Sequence, residues 1–179
     1  MTENKDSIWY AVRTYHQKES EIAEFLKAKD IQHFIPMIYA ERGKEGEKPR
    51  RVLVPVVHNL LFIRKFATIS EMKTMLAECV IPMSVMKKTD STEWWPISDK
   101  EMYEFRLICD PEYKGTLYVT EEEANVKVGK SIRVITGPFK GLEGKLARFG
   151  NQYFVVKTLA GLGVLLRIPR WYCQVVEEK

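Results

Sequence analysis

A chain of 179 residues, 45% apolar and 29% charged, has the composition of an ordinary globular protein, long enough for one sizeable domain or two small ones. No run approaches the ~18 apolar residues of a membrane span, and residues 1–7 are polar with no apolar signal core, so a cytoplasmic location is expected. Cys79, Cys109 and Cys173 are far apart and lack CxxC or His-Cys spacing, which argues against a disulfide framework and a zinc site and predicts packed, reduced thiols.

Charge is unevenly spread. Residues 1–109 carry 17 Lys+Arg against 16 Asp+Glu, residues 110–125 carry 1 against 5, and residues 126–179 carry 10 against 3. The acidic stretch, from Asp110-Pro111-Glu112 to Thr120-Glu121-Glu122-Glu123, is therefore expected as a linker between a nearly neutral domain (1–109) and a basic one (126–179). Tyr113, Leu117 and Tyr118 keep it from being a clean flexible tether.

In chain order, Ile8–Thr14 is a seven-residue strand candidate. A helix follows in which Ile22, Phe25 and Leu26 share one face. Phe34–Ile38 and Val54–Ile63 are apolar segments on either side of the charged, solvent-exposed stretch Arg42–Arg51. That stretch holds five basic and two acidic residues, two glycines and one proline, and no apolar side chain. Strand alternation would put Leu60 and Phe62 on one face and Leu61 and Ile63 on the other, and a strand apolar on both faces needs two covers. Thr68-Ile69-Ser70-Glu71 and Ser98-Asp99-Lys100-Glu101 fit the helix-capping box, with Met72, Met75, Leu76 and Cys79 behind the first and Met102, Phe105 and Cys109 behind the second. Met83–Lys87 is a further strand candidate, and Trp94–Ile97 is expected to pack on the sheet. The N-terminal half is thus α+β, with helices on one face of a mainly antiparallel sheet.

The remainder reads as about five short strands, 131–136, 144–149, 152–157, 163–168 and 174–177, with Gly150-Asn151 as a two-residue hairpin turn. Thr158–Leu166 is apolar for an exposed edge and is a candidate partner surface.

The run Gly129 to Leu146 packs a turn, an alternating strand through Ile132 and Val134, the break Gly137-Pro138-Phe139, and glycines at 141 and 144 before a second strand. This pattern resembles the KOW motif of NusG-type transcription factors and some ribosomal proteins. The Trp9-Tyr10 strand leading into an amphipathic helix resembles the start of a NusG N-terminal domain, and the order of segments agrees along nearly the whole chain. Ile35-Pro36-Met37-Ile38, and Asn59 where the general pattern has glycine, resemble the specialised paralogues of the RfaH or UpxY kind more than the housekeeping branch.

The resemblance implies an N-terminal NusG-type (NGN) α/β sandwich and a C-terminal SH3-like KOW β-barrel. In the sandwich it implies that Phe34–Ile38 is the second strand and Val54–Ile63 the third, with Arg42–Arg51 as the hairpin between them. It implies a transcription elongation and antitermination factor that binds RNA polymerase, with Arg13, Val57, Leu60 and Phe62 at the docking positions. Arg42, Lys44, Lys48, Arg50 and Arg51 of the hairpin would reach toward the upstream edge of the transcription bubble. Tyr15, His16 and Lys18 would touch flipped non-template DNA bases. Phe139 and Leu142 would contact a ribosomal protein or a termination factor, unless Phe139 only plugs the barrel end. The alternatives are a housekeeping NusG and a ribosome-associated RNA-binding KOW protein, which the basic C-terminal segment would suit. No cofactor and no enzymatic activity are expected: His16, His33 and His58 show no paired-ligand spacing, and neither G-x-S-x-G nor a phosphate-binding glycine loop occurs.

Overall fold

The computed structural model describes residues 7–43, 46, 48–126 and 128–176. The chain divides into two compact units, Met1–Met102 and Tyr103–Lys179.

The first unit contains β1 (Ile8–Thr14), α1 (Glu19–Ala28), β2 (His33–Phe34), β3 (Met37–Arg42), β4 (Arg50–Pro55), β5 (Leu60–Arg64), α2 (Ile69–Ala77), β6 (Met83–Val85), β7 (Ile97–Ser98) and the start of α3 (Asp99–Ile108). Its main sheet runs β2-β5-β1-β6, with β7 also pairing with β1, and every pairing is antiparallel. Tyr10, Val12, Leu61 and Ile63 project from one face into a core closed by Ile22 and Leu26 of α1 and Met72 and Leu76 of α2. Strand periodicity on one side and helical periodicity on the other thus meet as the apolar pattern requires. Trp94 packs edge-on against Tyr10, with ring centroids 5.2 Å apart.

Both predicted capping boxes form. Thr68 Oγ1 accepts from the Glu71 amide while the Glu71 carboxylate accepts from the Thr68 amide, and Ser98 and Glu101 repeat the exchange. Each satisfies two amides that a helix start otherwise leaves unpaired.

The expected third strand, 54–63, is instead the end of β4 and the start of β5, which lie in different sheets. The cause is local: Asn59 adopts φ +65°, which no strand accommodates. The expected second strand divides in the same way at Ile35-Pro36. As a result β3 and β4 form a separate two-stranded hairpin, with Met37 opposite Pro55 and Arg42 opposite Arg50.

The second unit holds the last turns of α3, β8 (Thr116–Thr120), α4 (Glu121–Asn125), β9 (Val128–Val134), β10 (Glu143–Phe149), β11 (Gln152–Leu159), β12 (Leu162–Arg167), a 3-10 turn (Arg170–Tyr172) and β13 (Cys173–Val175). Its six strands run β13-β9-β10-β11-β12-β8. Five of them stand near the predicted positions; the sixth, β8, comes from the segment expected as a linker. Residues 110–125 are therefore not a tether throughout: Thr116–Thr120 pairs with β12, and Thr120 and Glu123 form a third capping box that starts α4. The apolar 158–166 segment is consequently not an exposed edge, because β8 takes up its hydrogen bonds and Leu162, Val164, Leu165 and Leu166 are buried.

Gly163 is what allows α4 to close over this sheet. A Cβ there would lie 2.5 Å from the Ala124 Cβ and 2.9 Å from the Thr120 carbonyl oxygen. Gly163→Ala is expected to destabilise the second unit by ~1–3 kcal/mol, the cost of overpacking, as measured by chemical denaturation.

Candidate functional site

Among the described residues no helix is long and apolar enough to cross a membrane, and no three His, Cys, Asp or Glu side chains gather as metal ligands. Cys109 and Cys173 are buried, and burial pushes the Cys109 thiol up to about 12, leaving it protonated and unreactive near neutral pH.

The positions expected to dock polymerase are brought together by β1 and β5, though not as one exposed patch. Arg13 pairs with Leu60 and Ala11 with Phe62, so Arg13, Leu60 and Phe62 share the sheet face opposite the α1–α2 core. Arg13 is exposed, whereas Phe62 is 0% and Leu60 7% accessible. Phe62 packs near Phe34, with ring centroids 6.3 Å apart. Val57 is half-buried in the 56–59 turn and is not on a strand. The polar margin, not the apolar centre, is what solvent meets. It is extended by Ser84 of β6, which pairs with Arg13 on the other side and whose hydroxyl lies 3.2 Å from the Tyr15 hydroxyl. Ser84 was not singled out in the sequence, since a serine in a three-residue strand carries no signal of its own.

Tyr15, His16 and Lys18 fall on the loop that joins β1 to α1. Tyr15 and His16 are exposed, and the Lys18 ammonium pairs with Glu21 one turn along the helix. The loop is built unusually: His16 and Gln17 are both left-handed, at φ 58° and 56°. It is tied to Asn59, whose side-chain oxygen accepts the Gln17 amide at 3.1 Å and whose carbonyl accepts the Thr14 amide at 3.1 Å. The Asn59 amide in turn donates to the carboxylate of Glu19.

The charged hairpin is a projection from the same unit. Arg42, Lys48, Arg50 and Arg51 are exposed; Lys44 lies outside the described residues. Arg51 stacks its guanidinium 3.6 Å from the centre of the Tyr39 ring, and Arg42 stands directly across from Arg50. Like charges directly opposed on a hairpin are mutually destabilising.

Phe139 and Leu142, expected in a partner loop, are buried at 6% and 2% accessibility. The Phe139 ring meets Tyr113 edge-on, with centroids 4.8 Å apart. Two left-handed glycines, Gly137 and Gly141, fold the loop back so that the Gly141 amide donates to the Val134 carbonyl. Exposed aromatics among the described residues of this unit include Trp171, 76% accessible beside Tyr172, and Tyr103, 67% accessible.

Comparison with known proteins bears on these surfaces. The family model described as NusG, "Transcription termination factor nusG", matches residues 7–106. Among solved structures, one titled "Domain interaction in Thermotoga maritima NusG" aligns over 96% of this chain and 98% of its own, at 19% identity and a TM-score of 0.50, which is a likeness of fold. A second, an MjSpt4:Spt5 complex, aligns over 96% of this chain and 99% of its own at 14% identity, with a TM-score of 0.28. No curated protein matches the sequence. With more than half of its residues matched by the family model, the chain belongs to the NusG family, whose members are non-enzymatic transcription factors that bind RNA polymerase.

Proposed function

We propose that this chain is a specialised NusG paralogue that suppresses pausing or termination on selected long operons, docking on RNA polymerase through the first unit and recruiting a second machine through the second. The observation that carries this reading is the arrangement of exposed cationic groups on the family-matched segment: Arg13 at the sheet margin, the Tyr15–Lys18 loop beside it, and a separate hairpin whose strands set Arg42 against Arg50.

In this reading Arg13 makes the polymerase contact, while Leu60, Phe62 and half-buried Val57 shape the surface from beneath. Arg42, Lys44, Lys48, Arg50 and Arg51 meet acidic polymerase loops and backbone phosphates at the upstream edge of the bubble, where long-range attraction counts more than close fit. Tyr15, His16 and Lys18 meet unpaired non-template bases by stacking and hydrogen bonding, the contacts from which a choice of operon would be read. The six-stranded second unit is read as a KOW barrel of the SH3-like kind extended by β8. Phe139 and Leu142 then support the β9–β10 loop from within, and a ribosomal protein or termination factor meets the outer surface of that loop.

Charge reversal on the hairpin separates attraction from folding. Changing Arg42, Lys48 and Arg50 together to Glu is expected to slow association with the elongation complex about tenfold or more at low salt, with the difference shrinking as salt rises. The melting temperature should hold, because none of the three side chains is buried. Stopped-flow association across a salt series checks this.

The function itself is tested by mapping occupancy of a tagged copy across the genome beside polymerase. Enrichment on one or a few long operons supports the specialised role, and uniform co-occupancy with polymerase makes this a general NusG. No association with polymerase leaves an RNA-binding role at the ribosome.

A further inference from the structure

We infer that Glu19 and Asn59 are positioning residues for the proposed DNA-contact loop, fixing the shape of the Tyr15–Lys18 segment, with His16 and Gln17 left-handed, before the unpaired strand arrives. The inference rests on the proposed role of that loop and adds the residues that set its shape.

Two consecutive non-glycine residues in the left-handed region are costly, and such strain persists only where the surroundings over-determine it. Here His16 and Gln17 are held by contacts from a distant part of the chain. Asn59, itself left-handed at φ 65°, makes three hydrogen bonds to the surrounding chain. Its carbonyl receives the Thr14 amide at the end of β1, and its side-chain oxygen receives the Gln17 amide inside the loop. Its own amide goes to the Glu19 carboxylate. Glu19 is 1% accessible, although it sits in the first turn of α1, where an acidic residue would ordinarily point into water. A buried carboxylate needs donors, and the Asn59 amide is the hydrogen-bond donor to it, with the Nδ1 of His58 farther off at 3.9 Å. Three segments, the end of β1, the start of α1 and the turn before β5, are thereby locked together behind the loop.

The outward side carries the contact groups. Tyr15 and His16 are exposed, and the Tyr15 hydroxyl is steadied by Ser84 at 3.2 Å. A loop already in its bound shape loses little freedom on binding, so removing the tether should cost DNA contact without touching the contact residues.

The test uses the full chain on RNA polymerase assembled with an open bubble, reading protection of the non-template strand, polymerase affinity and melting temperature together. Asn59→Gly keeps access to the left-handed backbone and removes the side chain that accepts from Gln17; a loss of strand protection of about five- to tenfold is expected from one removed hydrogen bond and a loosened loop. Polymerase affinity and melting temperature should stay near the unmodified values. Glu19→Ala should lose protection, and Glu19→Gln, whose amide oxygen still accepts from Asn59, should recover it. The inference is overturned if Asn59→Gly protects the strand normally while a Tyr15→Ala, His16→Ala pair does not. It is overturned equally if protection falls only in step with melting temperature and polymerase affinity. Normal protection in the Tyr15, His16 pair would remove the DNA-contact reading as well, so the two failures are told apart.

Discussion

Phe62→Ala is expected to destabilise the first unit by ~3–5 kcal/mol, the range for emptying the site of a fully buried aromatic. The side chain is 0% accessible, stands opposite Ala11 on β1 and packs near Phe34. Alanine cannot grow into the space it leaves. The sheet cannot readily collapse to fill that space either, because β5 is hydrogen-bonded on both sides, to β1 and to β2. A shift of this size removes a large part of the stability of an ordinary domain, so loss of polymerase binding in this variant would report unfolding. Arg13→Glu is the informative companion: exposed, paired across the strand with Leu60 and Ser84, and expected to keep its melting temperature while lowering polymerase affinity about tenfold or more through charge reversal at the contact. Thermal melting beside a binding titration distinguishes the two. Equal melting temperatures for Phe62→Ala and the unmodified chain would mean that the core is not where the structure puts it.

What the sequence disclosed was local. β1 spans Ile8–Thr14 as expected, because a short apolar and aromatic run bounded by polar residues suits a strand buried on both faces. The capping boxes at Thr68 and Ser98 form because each is written within four consecutive residues. The Gly150-Asn151 turn joins β10 to β11 for the same reason. The third box, Thr120 to Glu123, has the same signature, but it lies among acidic residues whose charge suggests a solvated tether. What decides its place is Gly163, far along the chain, which leaves room for Ala124. Register partners and covers are non-local, and neither composition nor period reveals that β8 chooses β12.

The same division runs through the candidate site. Tyr15, His16 and Lys18 were grouped by the family resemblance, and the structure places them on one loop, while the exposure of the hairpin follows from its composition. Glu19 and Asn59 were not legible as part of that site, since an acidic residue near a helix start and an asparagine before a strand are ordinary, and only the tertiary fold closes Glu19 over with Asn59 beneath the loop. Phe139 shows the converse. An aromatic in a glycine-bounded loop reads as well for partner contact as for plugging, and the ring of Tyr113 decides its placement.

Glu104→Leu is expected to destabilise the second unit by ~3–5 kcal/mol, as breaking one half of a buried pair does. Glu104 sits on α3 and is 6% accessible, and its carboxylate receives the ammonium of Lys157 on β11, whose side chain is 21% accessible. With Glu104 gone, the largely buried Lys157 side chain loses its matching anion. The pair itself contributes much less than this figure, because its attraction is largely offset by the desolvation of both groups. Glu104→Leu with Lys157→Met should therefore recover most of the loss, and denaturant titration of the single and double variants measures the difference. Recovery matters for function as well as stability. The last turns of α3 are fixed within the second unit by this pair and by the Thr116 hydroxyl, which donates to the Ile108 carbonyl at 3.0 Å. The family-matched segment ends at residue 106, so cutting the chain after Cys109 to isolate it leaves Glu104 without Lys157 and Ile108 without Thr116. A weakened 1–109 fragment would then reflect the cut, and polymerase affinity is better assigned with the full chain carrying Arg13→Glu.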